Sequence, residues 1–276
     1  MRVDVSFRKT LRIFRTEKHE LVAVPDREPF AACDQEIPQI VFQTADSNLV
    51  HPSHAKSINE FRDLNPELGF SFFDKESRDK YLDETWGSHP ISGVYKRSVL
   101  GQMEADIFRY CIVLERGGYY FDFNKGCAVP LTSLHSKSAT GLVSYEKNPA
   151  LLFPDKVVAN RIANPFNLLL QWGFGFTAGH PFLRMVIDRI VEIEPFFRDV
   201  TFRDPKAALL TMSAPGVFTE VFRRFVKAEG LSGIEEAGVD FNERGIFRLR
   251  GSKKTTRHIQ YYGYRSNDKI IDSGLE

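Results

Sequence analysis

Asp106, Arg109, Asp122 and Asn124 are the residues of this chain best suited by type and spacing to act together. Asp106 and Arg109 are three apart in a stretch with helical periodicity, so they share one face. The run Glu115-Arg-Gly-Gly-Tyr-Tyr-Phe-Asp-Phe-Asn124 then closes that helix on two glycines and continues in residues that favour a strand. Strand side chains alternate, which turns Tyr120, Asp122 and Asn124 one way and Tyr119, Phe121 and Phe123 the other. The aromatic face is expected in the core. Asp122 and Asn124 are then two oxygen ligands side by side, a pattern suited to a hard divalent cation. Asp106 and Arg109 taken alone fit an intrahelical ion pair. Together with the motif they fit a sugar-diphosphate site: Arg109 gripping oxygens bidentately, Asp106 accepting from hydroxyls, the cation bridging phosphates.

The elements that must position these residues follow from periodicity. Ile37 to Gln43 reads as a buried first strand with proline near its entrance, and Ser53 to Leu64 as a helix stopped at Asn65-Pro66. Phe70 to Asp74 is a second strand and Lys75 to Trp86 a second helix. A third helix is expected from about Ser98 to Arg116, with Ile107, Cys111 and Leu114 in one apolar row and Phe108 and Ile112 in the next. Strands at Tyr119 to Asn124 and Gly141 to Tyr145 follow, then helices from His180 to about Phe197 and from Gly216 to Ala228. Lys156 to Ala178 shows no consistent period. Alternating strands and helices with ligands at a strand's carboxyl end describe an open α/β sheet.

Composition narrows the function classes. With 276 residues, 42% hydrophobic and 26% charged, the chain has apolar material for one substantial core, over which its 24 Phe are spread. A net charge of +1 supplies no field for nucleic acid. Cys33, Cys111 and Cys127 lack the spacing of a disulfide framework or a zinc site, which suits a reducing, cytoplasmic setting. No apolar run has the length of a membrane span. Val3, Phe7, Leu11 and Phe14 recur at helical spacing among basic residues of segment 1–18. Such a segment either docks on the body or lies on an anionic membrane surface, here the inner face. The expected organisation is a basic amphipathic segment and connector over residues 1–36 and one catalytic domain over residues 37–276.

Other candidates carry less. His51, His54 and His89 have no ligand spacing and are expected at the surface. Trp172, beside Gly173, fits either a core position or a platform for an acceptor sugar. No Ser-His-Asp order, phosphate-binding loop or dinucleotide fingerprint stands in a usable context.

The run Ala105-Asp-Ile-Phe-Arg-Tyr-Cys-Ile-Val-Leu-Glu-Arg-Gly-Gly-Tyr-Tyr-Phe-Asp-Phe-Asn124 resembles the DXD signature of family 32-like glycosyltransferases. These include initiating α-1,6-mannosyltransferases and capsular polysaccharide enzymes, and clostridial glucosylating toxins share the core motif. Ile37-Pro-Gln-Ile-Val-Phe-Gln-Thr44, Asn65-Pro66, Gly179-His-Pro-Phe182 and Ala214-Pro-Gly-Val-Phe-Thr219 are similar to further family landmarks. The likeness runs from about Ile37 to Tyr264. It implies a GT-A type fold, a single nucleotide-sugar-binding α/β domain with a mixed open sheet flanked by helices. It also implies retaining transfer of a hexose from a UDP- or GDP-linked donor to a glycan, lipid-linked or other hydroxyl acceptor, in polysaccharide biosynthesis.

Residue by residue, the resemblance puts Gln43 by the nucleotide base, Asp106 and Arg109 on donor hydroxyls and phosphate, Tyr120 beside the nucleotide or sugar, and Asp122 on the ribose, the metal or both. Tyr264 stands where the family often has a tryptophan and would cover the donor. His258 would complete the Mn²⁺ or Mg²⁺ shell or hold a phosphate. One departure bears on the metal: Asn124 replaces the second aspartate, and an amide carbonyl is the weaker ligand. Lys125 is a candidate to replace part of the missing cationic charge. Two rival functions follow, a sugar-nucleotide-binding protein with weak or no transfer, and an effector that glycosylates a protein.

Overall fold

The computed structural model describes residues 20–29, 34–149, 153–256, 263 and 265–275. A short strand β1 (Val22–Ala23) leads to β2 (Ile40–Thr44), β3 (Leu49–Val50) and helix α1 (Pro52–Asp63). Then come β4 (Gly69–Phe73), α2 (Lys75–Trp86), α3 (Pro90–Lys96), α4 (Gly101–Arg116), β5 (Gly118–Phe121) and β6 (Gly126–Cys127). The second half holds β7 (Gly141–Pro149), α5 (Lys156–Ala159), β8 (Asn167–Leu169), β9 (Gly173–Phe176), α6 (Pro181–Ile193), α7 (Pro205–Met212), α8 (Pro215–Glu229), β10 (Ile234–Val239) and β11 (Gly245–Ile246).

One mixed sheet organises the chain, in the order β10-β7-β9-β5-β2-β4 with β8 added to β7. The β10–β7, β5–β2 and β2–β4 pairs are parallel, whereas β9 runs antiparallel to both β5 and β7. Helices α3, α4, α6 and α8 cover one face, sealing Phe174, Phe176, Phe182, Phe218, Phe222 and Phe225 in the larger core. The other face packs Val41, Phe61, Phe70, Tyr119, Phe121, Trp172 and Phe241. This is the mixed open sheet flanked by helices that the pattern and resemblance predict. No helix among the described residues is long and apolar enough to cross a membrane. The segment 1–18 lies outside the described residues, as does Cys33.

The predicted helices and strands are present with shifted ends. The first strand starts at Ile40 rather than Ile37, and the helix expected from Ser98 starts at Gly101 because Pro90–Lys96 forms a separate helix. Lys156 to Ala178 resolves into α5, β8 and β9, two of them too short to show a period.

The histidine expectation is overturned. His51, His89 and His180 each cap a helix whose next residue is proline, their Nδ1 accepting the N–H of Ser53, Ile91 and Phe182 at 3.1, 3.2 and 3.2 Å. Proline at the first helical position has no N–H to satisfy, so the cap reaches the next donor. His51 and His54 are buried rather than exposed.

Two backbone features set the site's surroundings. Gly117 and Gly118 turn α4 into β5 with φ of +67° and +105°. A Cβ on Gly117 would stand 2.6 Å from the Ala178 nitrogen, and one on Gly118 2.7 Å from the Ile40 carbonyl oxygen. After β10 the chain makes one turn in the left-handed region over four non-glycine residues, Asp240, Phe241, Asn242 and Glu243, with φ from 48° to 64°. Left-handed backbone costs an L-residue roughly 1–2 kcal/mol.

Gly118→Ala combines positive φ with backbone overlap, so it should lower unfolding free energy by at least about 2 kcal/mol. Urea denaturation followed by circular dichroism measures this, and an unchanged midpoint would mean the junction relaxes freely.

Candidate active site

Parallel strands β2 and β5 end side by side, with Val41 opposite Tyr119 and Phe42 opposite Tyr120. At their carboxyl ends a cleft of about 240 Å³ opens. Thr44 at the end of β2 and Ala45 and Asp46 beyond it line the cleft, with Gln102, Ala105 and Arg109 from α4, and Tyr120, Asp122 and Asn124 from β5 and its exit. His54 and Thr255 close another side.

Strand β5 stops at Phe121, which corrects the sequence-based geometry. Asp122 and Asn124 are not alternate residues of one strand. Lys125 N–H donates to the Asp122 carbonyl at 2.8 Å, so Asp122 to Lys125 form a tight turn. The turn departs the sheet because its next partner is β11, which pairs with β6 directly afterwards.

Arg109 is the centre of the site. Its Nη2 lies 3.1 Å from Asp106 Oδ1 and 3.2 Å from Asp122 Oδ1. Nη1 donates to the Gln171 carbonyl at 3.1 Å and Nε to the Ala105 carbonyl at 3.3 Å. The guanidinium carbon stands 4.5 Å from the Tyr120 ring centroid, and the Tyr120 hydroxyl donates to Asp122 Oδ1 at 2.9 Å. Burial would lower the Arg109 pKa, but Tyr120, Asp122 and Asp106 outweigh it and hold the cation firmly charged. The intrahelical pair and the link to the motif are therefore both present. Asp122 Oδ1 is engaged, while Oδ2 has no protein partner among the described residues and the side chain is 29% exposed.

Asp106 sits behind Arg109 rather than in the cleft. It is 4% exposed, and its oxygens accept from Gln171 Nε2 at 3.0 Å and Ser213 Oγ at 2.8 Å. Burial raises its pKa to about 6, against the lowering pull of Arg109, Ser213 and Gln171. Gln171 and Ser213 escape sequence reasoning, since neither lies in a motif and their link to Asp106 is tertiary. The seryl position just before Ala214-Pro-Gly was the available signal. Gln43 is fully buried and does not line the cleft, and its neighbour Thr44 does. His258 and Tyr264 lie outside the described residues.

Residues 52–140 match the family model described as a glycosyltransferase sugar-binding region containing DXD motif. The match spans Asp106, Arg109, Asp122 and Asn124. The chain is 24% identical over 205 residues to the initiation-specific alpha-1,6-mannosyltransferase of Candida albicans, covering 66% of this chain and 51% of that protein. It is 20% identical over 220 residues to the protein of the same name from Schizosaccharomyces pombe, covering 73% and 53%. It thus spans about half the length of these curated relatives. A solved structure, the PaToxG glycosyltransferase, aligns with a TM-score of 0.49 and 13% identity over 70% of this chain and 71% of that one.

Proteins with this region generally use a divalent metal, and the donor set here fits one in part. Among the described residues no three His, Cys, Asp or Glu gather around a point. Asn124 Oδ1, however, is buried without a hydrogen-bond partner, beside an Asp122 with an open oxygen. Two hard oxygens suit Mg²⁺ or Mn²⁺ when phosphates fill the remaining positions.

His54 joins the cleft to the C-terminal segment. Its Nε2–H donates to the Phe123 carbonyl at 3.2 Å, while Nδ1 accepts from Thr255 Oγ1 at 3.0 Å. This is the neutral ring, and burial lowers its pKa to about 4. The unfolded chain binds the proton first, at the ordinary 6.5, so stability is lost as pH falls from 6.5 toward 4. Asp106 opposes this, because its raised pKa lets the fold hold a proton the unfolded chain has released. His180, also lowered to about 4 by burial, acts with His54. Replacing His54 by Gln should flatten the acid limb of unfolding free energy against pH by up to about 1.4 kcal/mol per pH unit. Denaturant titrations at several pH values supply the slope, and one equal to wild type would refute the buried neutral ring.

Proposed function

We propose that this chain is a glycosyltransferase that moves a hexose from a nucleotide diphosphate sugar to a hydroxyl acceptor with retention, residues 37–276 forming the transferase unit. The reading rests on one observation above others: a buried guanidinium tied to the motif aspartate at the carboxyl ends of two parallel strands. Sugar nucleotides need a cationic, preorganised seat at such a position, and the family match over residues 52–140 supports the same chemistry. Mannose is the sugar in the relatives' names, so GDP-mannose is the first donor to try, followed by UDP-hexoses.

In this reading Thr44 and Asp46 border the base and ribose, and Arg109 faces the diphosphate over the Tyr120 ring. Asp122 and Asn124 would hold the divalent ion, which would supply Lewis-acid charge at the phosphates. Asp106 fixes Arg109 and does not touch the donor. The acceptor oxygen bonds to the anomeric carbon as its bond to the diphosphate oxygen breaks. The electron pair leaves with the diphosphate, which also receives the hydroxyl proton. No separate general base is required. Electrostatic stabilisation of the leaving group is the main catalytic contribution.

Asn124 favours a second reading, a protein that binds the sugar nucleotide and transfers it weakly. A donor screen following free nucleotide release, with Mn²⁺, with Mg²⁺ and with chelator, separates the two. Release in the presence of metal supports transfer or donor hydrolysis, and binding without release supports the second reading. Asp122→Ala should abolish release, a loss of at least about 10²-fold, and wild-type turnover in that variant would remove the assignment. Asn124→Asp adds a carboxylate to the shell and should tighten Mn²⁺ binding about tenfold, measured by calorimetry. An unchanged affinity would take Asn124 out of the metal site.

A further inference from the structure

A second cavity, of about 280 Å³, opens on the far side of the Asp122 turn. Leu170 and Trp172 from the segment entering β9 form its floor, and Phe247, Asp240, Glu146 and Lys147 form its walls. It shares no lining residue with the first cleft. The two are nevertheless adjacent, because the Asp122 N–H donates to the Trp172 carbonyl at 2.8 Å. Lys125 stands between them with its ammonium 3.2 Å from the Phe247 ring centroid and 5.5 Å from that of Trp172.

The chemistry of this cavity is mixed. Phe247 leaves 63% of its surface exposed, although most of the chain's Phe rings are in the core. Asp240 is 8% exposed, and its carboxylate pairs with the solvent-exposed Lys147 at 3.1 Å. The Glu146 carboxylate has no hydrogen bond or ion pair among the described residues, and burial raises its pKa. Asp240 opens the left-handed turn of four non-glycine residues, and Gly245 packs against its carboxylate where any Cβ would collide. Strain persists where the surrounding structure enforces it, often to aim a functional group. Here it holds an acceptor-only carboxylate at the mouth of an aromatic pocket.

An alkyl chain would leave the Glu146 carboxylate desolvated without a partner, and two carboxylates against the single Lys147 in the lining disfavour an anion. A pyranose satisfies both halves of the wall, with an apolar ring face for Phe247 and Trp172 and hydroxyl donors for the carboxylates. We propose that this cavity is the acceptor subsite and that the acceptor is a saccharide, bound by Trp172, Phe247, Asp240 and Glu146. This rests on the glycosyltransferase reading of the first cleft and names its second substrate. The strained turn and Lys125 bring the acceptor ring beside the Asp122 turn, where its hydroxyl meets the donor's anomeric carbon.

The chain has two tryptophans, so Trp86→Phe leaves Trp172 as the sole indole and as a reporter inside the cavity. The probes are methyl α-D-mannopyranoside, methyl α-D-glucopyranoside and methyl α-D-galactopyranoside, titrated with GDP or UDP and Mn²⁺ present. At least one glycoside should shift Trp172 emission saturably. Phe247→Ala, a surface change, and Asp240→Asn should each weaken that binding about tenfold while nucleotide affinity by calorimetry stays within about twofold. If nucleotide binds and no glycoside shifts the emission, or if neither variant alters the titration, the subsite is overturned while the proposed function stands. If glycoside competes with intact sugar nucleotide but not with free nucleotide, the cavity holds the transferred hexose and the acceptor assignment falls. If neither nucleotide binds, the reading of the first cleft fails by itself.

Discussion

The buried guanidinium of Arg109 is the constraint around which the site is arranged. Moving such a cation out of water costs several kcal/mol unless its donors and charge are matched. Asp106, Asp122, two backbone carbonyls and the Tyr120 ring supply that match. These partners come from α4, the end of β5 and the segment entering β9. The network continues through Gln171 and Ser213 to the start of α8, with Tyr110 donating to the Ser213 carbonyl at 2.9 Å. Four distant stretches are thus fixed by one charge. Loss of Arg109 would leave Asp106 buried and uncompensated, which explains why so much polar structure stands behind a single cleft residue.

Much of this architecture is legible in the sequence because it is periodic. The rows of α4, the β-branched β2 and the glycine pair after Arg116 each carry a local signal, and the sheet of mixed direction follows the expected class. The motif residues Asp106, Arg109 and Asp122 do meet. What sequence could not give is tertiary. Strand alternation was extended to Asn124, yet β5 ends at Phe121, where pairing with β9 ends at Gly173 and the turn begins. The same alternation hides Gln43 and turns Thr44 to the cleft. Gln171 and Ser213 have no motif, only a place in space. His51 and His89 look like loop residues because each precedes a proline, until the helix each caps is seen, and His54 is buried inside its helix by packing that no spacing signals.

Asn124 is better understood from the turn than from the motif. In a strand, an amide in place of a carboxylate would merely weaken a paired ligand. In the turn, its Oδ1 is buried and unpartnered, so it carries a desolvation penalty that a cation or a donor hydroxyl would relieve. The site therefore keeps a polar atom in an unfavourable state until something binds.

Lys125 extends the same logic across the turn. Its ammonium is nearly buried between two aromatic rings, and burial lowers its pKa to about 8 despite Asp122 nearby. The four-residue turn thus presents a carboxylate to one cleft and sets an ammonium against the Trp172 and Phe247 rings that line the next. In the proposed reading, a diphosphate beside Asp122 would add negative charge near that ammonium and so reduce its burial penalty. A single tight turn, held by Arg109 on one side and by the rings on the other, links the two clefts electrostatically.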